Sequence, residues 1–204
     1  MGVSAGVTEM PVRGEHPALD LVNTVFVRGG LRGQLVDALT RPADLAEWIA
    51  GHSASLGPLG SDPVADDDAG RAALASFTDL RDRLRRLLTA AVRGEAADPA
   101  DVAAVNLAAR EHTDWTALPA AGYGAPEHGT DAPRTPDAVR ARTARAAVDL
   151  LTGPALELLR ACPAPGCVLF YLRTHPRREW CSPGCGTRVR VARHSRRRGE
   201  GAAP

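Results

Sequence analysis

Apolar residues step at intervals of three and four over residues 69–92, where Leu74, Phe77, Leu80, Leu84, Leu87, Leu88 and Ala91 predict a long amphipathic helix that stops at Gly94. Arg81, Arg83, Arg85 and Arg86 alternate with Asp79 and Asp82 along it, the pattern of a solvated face. The Asp66–Asp68 run fits its N-terminus, where acids oppose the helix dipole. Leu45, Trp48 and Ile49 share one face of a shorter helix opened by Thr40-Arg41-Pro42, with Asp44 near its start and Gly51 at its end. Asp98-Pro99 starts another, running to about residue 110 with Val102, Val105 and Leu107 available for burial. Asn106 within it reads either as exposed or as a core hydrogen-bonding anchor. Residues 137–159 return to helix, interrupted at Gly153-Pro154. Residues 18–27 alternate loosely and are rich in β-formers, which predicts a strand ended by Arg28-Gly29-Gly30; residues 35–39 supply a second. Residues 53–68 read as a loop, and 113–136 as an irregular stretch with room for a hairpin.

Composition favours helices. Of 204 residues, 44% are hydrophobic but only 4% aromatic, so Ala, Leu and Val must fill the core. Lysine is absent and all 25 basic residues are arginine, a sign of genomic base composition, so only the placement of arginine is informative. That placement is uneven. Residues 160–198 hold ten Arg and a single acid, Glu179, whereas residues 1–159 hold fifteen Arg against twenty-two acids. A basic module joined to an acidic body points toward nucleic acid. No secretory h-region and no membrane-length apolar run is present, so a cytoplasmic protein is expected, in a compartment that keeps thiols reduced.

All four cysteines fall in that basic module as Cys162-x4-Cys167-x13-Cys181-x3-Cys185. Two close pairs, each with Pro and Gly to turn the chain, suit one tetrahedral thiolate site. One structural Zn(2+) is the expected occupant, with an iron–sulfur cluster as the rival and His175 or His194 as substitute ligands. Between the pairs, residues 168–172 predict a strand, His175-Pro176 a turn and residues 178–180 a returning strand; a helix follows Cys185. Knuckle, hairpin, knuckle and helix make a treble-clef-like plan. No P-loop, nucleophile elbow, HExxH or GxGxxG appears, so no enzyme is expected.

The segment Arg177-Arg178-Glu179-Trp180-Cys181-Ser182, followed by Cys185-Gly186-Thr187-Arg188 and a basic helix, resembles the CGNR zinc finger family of bacterial proteins. Thr187 stands where that family has Asn, Leu172 where an Asp is usual, and Pro183 where Met is common. The body resembles the ABATE domain paired with that finger: Asn23-Thr24, the helix with Leu45 and Trp48, Leu80-Arg81, Asn106 and the helix leading to Cys162 carry the likeness. The resemblance implies stress-linked transcriptional regulation.

The expected architecture is α+β and mainly helical: a helical regulatory domain with a small β element over residues 1–159, a zinc finger over 160–198, and a disordered tail over 199–204. DNA is the expected partner, contacted by Arg177, Arg178, Arg188, Arg190, Arg193, Arg196 and Arg197. Asn23 and Thr24 are candidates for a pocket receiving a small-molecule or protein signal, and a homodimer would suit a symmetric operator. The alternative is a zinc-stabilised protein–protein interaction module without specific DNA binding.

Overall fold

The computed structural model describes residues 6–29, 33–56, 64–111, 114–117, 119–120, 122–123, 127–130 and 135–200. Among them the chain forms seven α-helices and three two-stranded antiparallel sheets. The mixed, mainly helical class expected from composition is what folds.

At the centre lies a helix that the pattern hid. Helix α1, Pro17–Val22, occupies the first half of the stretch expected as a strand, and the second half forms β1, Val25–Arg28. Pro17 opens the helix with φ already set, and the His16 side chain caps it by accepting from the Ala18 amide at 3.3 Å. Ala18, Leu19, Asp20, Leu21 and Val22 are all buried, so the helix has no polar face and shows no helical period. Each buried Leu or Val contributes on the order of 1.5–3 kcal/mol of transfer free energy.

Strand β1 pairs with β2, Gln34–Asp37, with Val25 opposite Asp37. Helix α2, Pro42–Gly51, buries Leu45, Trp48 and Ile49 as expected. The Asp44 carboxylate closes its first turn, accepting from the Thr40 and Arg41 amides at 3.0 and 2.9 Å. A single turn, α3 (Ser53–Leu56), follows where loop was expected.

The long helix α4, Asp68–Arg93, is capped by the Asp67 side chain on the Gly70 amide and ended by Gly94 in the left-handed region at φ 67°. Its apolar stripe of Phe77, Leu80, Leu84, Leu87 and Leu88 faces the core. The solvated reading of its arginines needs correction. Arg81 is buried and binds Asp37 at 2.7 Å, and half-buried Arg85 points at backbone carbonyls of other segments.

Helix α5, Pro99–Arg110, packs through Val105 and Ala108, while Val102, Asn106 and Leu107 are exposed. Buried Asp101 ties α5 to α4 by accepting from Arg86 and Arg83. Strands β3 (Asp114–Ala117) and β4 (Glu127–Thr130) form the hairpin anticipated within 113–136. Helix α6, Pro136–Thr152, ends at Gly153-Pro154 as the breaker pair predicts, and a 3-10 turn over Pro154–Leu158 leads into the cysteine-bearing segment.

Candidate metal centre and nucleic-acid interface

The finger is assembled from β5 (Leu159–Ala161), β6 (Phe170–Leu172) and α7 (Pro183–Glu200). Its hairpin is not the one expected. β6 pairs with β5, with Leu159 opposite Leu172 and Ala161 opposite Phe170, and residues 178–180 form no strand. The hairpin thus straddles the first knuckle instead of linking the two. The local reason is the tight turn over 162–167: Cys167 N donates to Ala164 O and Cys162 N to Leu169 O, both at 2.9 Å. Gly166 sits at φ 71°, a conformation few other residues adopt, and lets the turn close. The second knuckle is the first turn of α7, with Cys181 just before the helix and Cys185 inside it. Helix α7 continues through Gly199 and Glu200, which were expected in a disordered tail; residues 201–204 lie outside the described residues.

The four thiol sulfurs lie within 4.8 Å of one another, and they are the only His, Cys, Asp or Glu cluster among the described residues able to hold a metal ion. Sγ separations are 3.8 Å for Cys167–Cys181, 3.4 Å for Cys181–Cys185 and 3.7 Å for Cys167–Cys185. A tetrahedron with metal–sulfur bonds of about 2.3 Å has sulfur edges of about 3.8 Å, so the donor set fits Zn(2+). Cys162, Cys181 and Cys185 are buried and Cys167 is partly so; none is in a disulfide. Their protonation is strongly coupled. The Cys167 and Cys181 side chains hydrogen-bond to Cys162 and hold its thiol down at about 2. The Cys162 thiolate in turn pushes Cys167 up to about 12 and Cys181 higher still. Four thiolates cannot share so small a space without a dication among them. One structural zinc therefore supplies a cross-link between the knuckles, and four protein donors leave no position open for catalysis.

Around this centre, Trp180 lies against Gly186. A Cβ at position 186 would come within 2.9 Å of Trp180 Cδ1, so the indole covers the second knuckle only because residue 186 has no side chain. Arg178, expected to face DNA, is instead turned inward. It donates to Leu172 O at 3.2 Å, to Cys181 O at 2.9 Å and to the Glu15 carboxylate, with its guanidinium 5.0 Å from the Tyr171 ring centre. Arg188 is half-buried and donates to Pro165 O at 3.3 Å, bracing α7 against the first knuckle. Arg177, Arg190 and Arg193 are exposed, and the backbone of α7 extends through Arg196 and Arg197. Thr187 donates to Pro183 O at 3.3 Å and accepts from Arg190 at 3.0 Å.

Asn23 and Thr24, candidates for a pocket, are enclosed among the described residues. Both are buried with their polar atoms engaged inside the protein, Asn23 with the Phe170 backbone and Thr24 with Leu21 O and Arg81. Among the described residues, body and finger are joined here by Asn23 to Phe170, by Glu15 to Leu172 N and Arg178, and by Arg85 to Val168 O with its guanidinium 6.0 Å from the Phe170 ring centre. Sequence reasoning missed Glu15 and Arg85 as joints. Both contacts close over long chain separations and leave no local signal, although Glu15 immediately precedes the His16-Pro17 helix start.

The family model described as "Putative stress-induced transcription regulator", ABATE, matches residues 15–154, and the CGNR zinc finger model matches residues 159–198. No curated protein matches the chain. Neither matched family is an enzyme family, and no described helix is long and apolar enough to cross a membrane. With the first model spanning more than half of its length and the second coinciding with the four-cysteine module, the chain belongs to the ABATE family and carries a CGNR zinc finger.

Proposed function

We propose that this protein is a zinc-dependent DNA-binding transcription regulator in which α7 meets the duplex and the body over residues 1–159 receives a signal or dimerises. The supporting observation is the division of labour among the arginines of the finger. Arg178 and Arg188 are used up in bracing the knuckles, whereas Arg177, Arg190 and Arg193 are exposed around the same centre. Arg190, Arg193 and Arg197 recur at helical spacing, so α7 carries a row of cations. Phosphate contacts from such a row supply most of the affinity, and one or two arginines can read guanine edges. Thr187, where the family has Asn, is held against α7 and Arg190 and contributes through that arginine.

Binding of the zinc-loaded protein to genomic DNA fragments, titrated across salt, tests this reading. A regulator gives a log–log salt slope of about −0.9 per phosphate contacted. No binding at low salt would end it. Half-exposed Val191, beside Pro11, Val27 and Leu169 in a mainly apolar groove between finger and body, favours the second reading of a protein-interaction module; that reading predicts weak DNA binding without sequence preference.

A further inference from the structure

Helix α5 is turned inside out relative to its neighbour α4. Between Pro99 and Ala109 its one charged residue is Asp101, and that carboxylate is buried against Arg83 and Arg86. The outward face carries Ala100, Ala103 and Leu107, with Val102 and Asn106 along one edge. Leu107 is 68% exposed and Val102 39%. Helix α4, by contrast, exposes Arg71, Asp79, Asp82 and Arg86. A helix on a protein surface ordinarily puts its charges toward water and its leucines inward.

The same region of the body collects further apolar surface. Of the eight large apolar residues exposed among the described residues, five belong to α5 or to the adjoining ends of α4 and α6: Val102, Leu107, Val92, Leu156 and Leu158. Beside α5 runs a groove of about 370 Å³ lined by Leu87, Ala91, Val102, Val105, Val148 and Leu151. Single exposed leucines are ordinary, but their concentration beside an apolar groove marks an interaction site.

Charge identifies the occupant. Glu95 and Asp98 are exposed at the N-terminal end of α5, and Arg110 is exposed at the other end with no ion-pair partner among the described residues. Asp98 and Arg110 stand about 18 Å apart along the axis, at 1.5 Å per residue. An identical helix laid antiparallel on this face matches each end with its opposite. Arg110 of each copy then meets Glu95 and Asp98 of the other, Leu107 of each meets Ala100 of the other, and Ala103 and Ala104 meet near the axis. Every contact occurs twice, the self-complementarity that a twofold interface requires. A parallel pairing would set like charges together.

We propose that the outer face of α5 is a homodimer interface, formed by two copies of this chain packing α5 antiparallel about a twofold axis. Such a dimer deepens the dimerising role proposed above for the body. It is measured without DNA, so its absence and an absence of DNA binding are separate results.

The test is sedimentation equilibrium of the full-length, zinc-loaded protein. The wild type should reach the dimer mass with a dissociation constant on the order of 10 µM, at the weak end because one helix face buries little area. Leu107→Glu, at an exposed position that leaves the core intact, should raise that constant at least about tenfold. Leu35→Glu on β2, outside this face and 58% exposed in the wild type, should not. Ala103→Arg blocks the axis independently and serves where the Leu107 variant loses its helix content or zinc. Arg110→Glu should weaken the dimer, and Glu95→Arg on that background should restore it. A wild type monomeric at about 200 µM overturns the proposal and leaves the face to a different protein. So does a dimer that persists in both Leu107→Glu and Ala103→Arg, or one that Leu35→Glu disrupts equally. A dimer indifferent to Arg110→Glu, or not restored by the charge exchange, overturns the antiparallel arrangement.

Discussion

Asn23 and Phe170 meet across 147 positions of sequence through a pair of reciprocal bonds: Asn23 Nδ2 donates to Phe170 O at 2.9 Å, and Phe170 N donates to Asn23 Oδ1 at 3.0 Å. A side-chain amide here does the work of a neighbouring strand, satisfying the outer edge of β6 where it meets α1. Asn23→Ala leaves a buried donor and a buried acceptor unpaired, which should cost about 2–4 kcal/mol. Asn23→Asp keeps the acceptor, loses the donor and adds a charge, so it should not rescue. Urea denaturation measures both, and a loss below about 0.5 kcal/mol for the Ala variant would mean that the joint is dispensable.

Removing zinc should unfold the finger and leave most of the body helical, because α1, α2, α4 and α6 supply most of the buried residues of the core that body and finger share. Purified protein should carry about one equivalent of zinc, and Cys181→Ser should lower that markedly. Binding must also expel thiol protons, given that the Cys162 thiolate pushes Cys167 up to about 12. Calorimetry of zinc binding in buffers of different ionisation enthalpy should therefore show net proton release. A heat independent of buffer would contradict a multi-thiolate site.

Trp180 and Gly186 form a tight contact inside the second knuckle. In Gly186→Ala the new methyl meets Trp180 Cδ1 at 2.9 Å, so the indole or the helix start must move. The expected cost is about 1–3 kcal/mol. Trp180→Ala on that background should recover part of the loss if the clash is its cause, a double-mutant relation readable from melting temperatures.

How legible these features were depended on the range of the interactions that make them. The boundaries of α2, α4 and α6 follow from caps and breakers lying within a few residues: Asp44, Asp67, Gly94 and Gly153-Pro154. The metal ligands were legible for the same reason, since each knuckle is a local turn. Helix α1 was misread because burial on all sides erases the helical period, leaving its Val and Leu content to imitate a strand; the His16-Pro17 start was the one local signal of helix. The inward roles of Arg81, Arg85 and Arg178 depend on Asp37, Val168 and Glu15, which the chain brings close only on folding. Spacing along a helix could not have revealed them.

Acid should weaken the α4–α5 contact. Arg86 donates twice to the Asp101 carboxylate and, with Arg83, holds its pKa below the usual Asp value despite its burial. Hydrogen bonds from Arg41 and Thr40 outweigh burial and do the same for Asp44. A carboxylate depressed in the folded state binds protons more readily when unfolded. Its contribution is therefore present above the unfolded value of about 3.9 and is lost as pH falls through the lower folded value. Stability measured by urea denaturation should decline below about pH 4, and Asp101→Asn should lower the plateau and flatten the decline. An unchanged acid slope in that variant would remove Asp101 from the account.

The finger arginines should separate into two classes. Arg193 is exposed on α7, so Arg193→Ala should leave stability and zinc content within about 0.5 kcal/mol and wild-type stoichiometry. Its effect should fall on DNA, reducing the salt slope by about one unit for the lost phosphate contact. Arg178 bonds Leu172 O, Cys181 O and Glu15 at once, a task for a planar fork with several donors. Arg178→Lys keeps the charge yet cannot make all of these bonds, so it should lower the melting temperature and hasten zinc loss to a chelator. Where the variant is still folded and metal-loaded, its salt slope should match that of the wild type. If Arg178→Lys changed the slope while stability stayed intact, Arg178 would have to reach DNA itself, and its contact with Glu15 would be secondary. If both variants changed stability alone, the arginines of α7 would have no phosphate partner, and the interaction-module reading would take precedence.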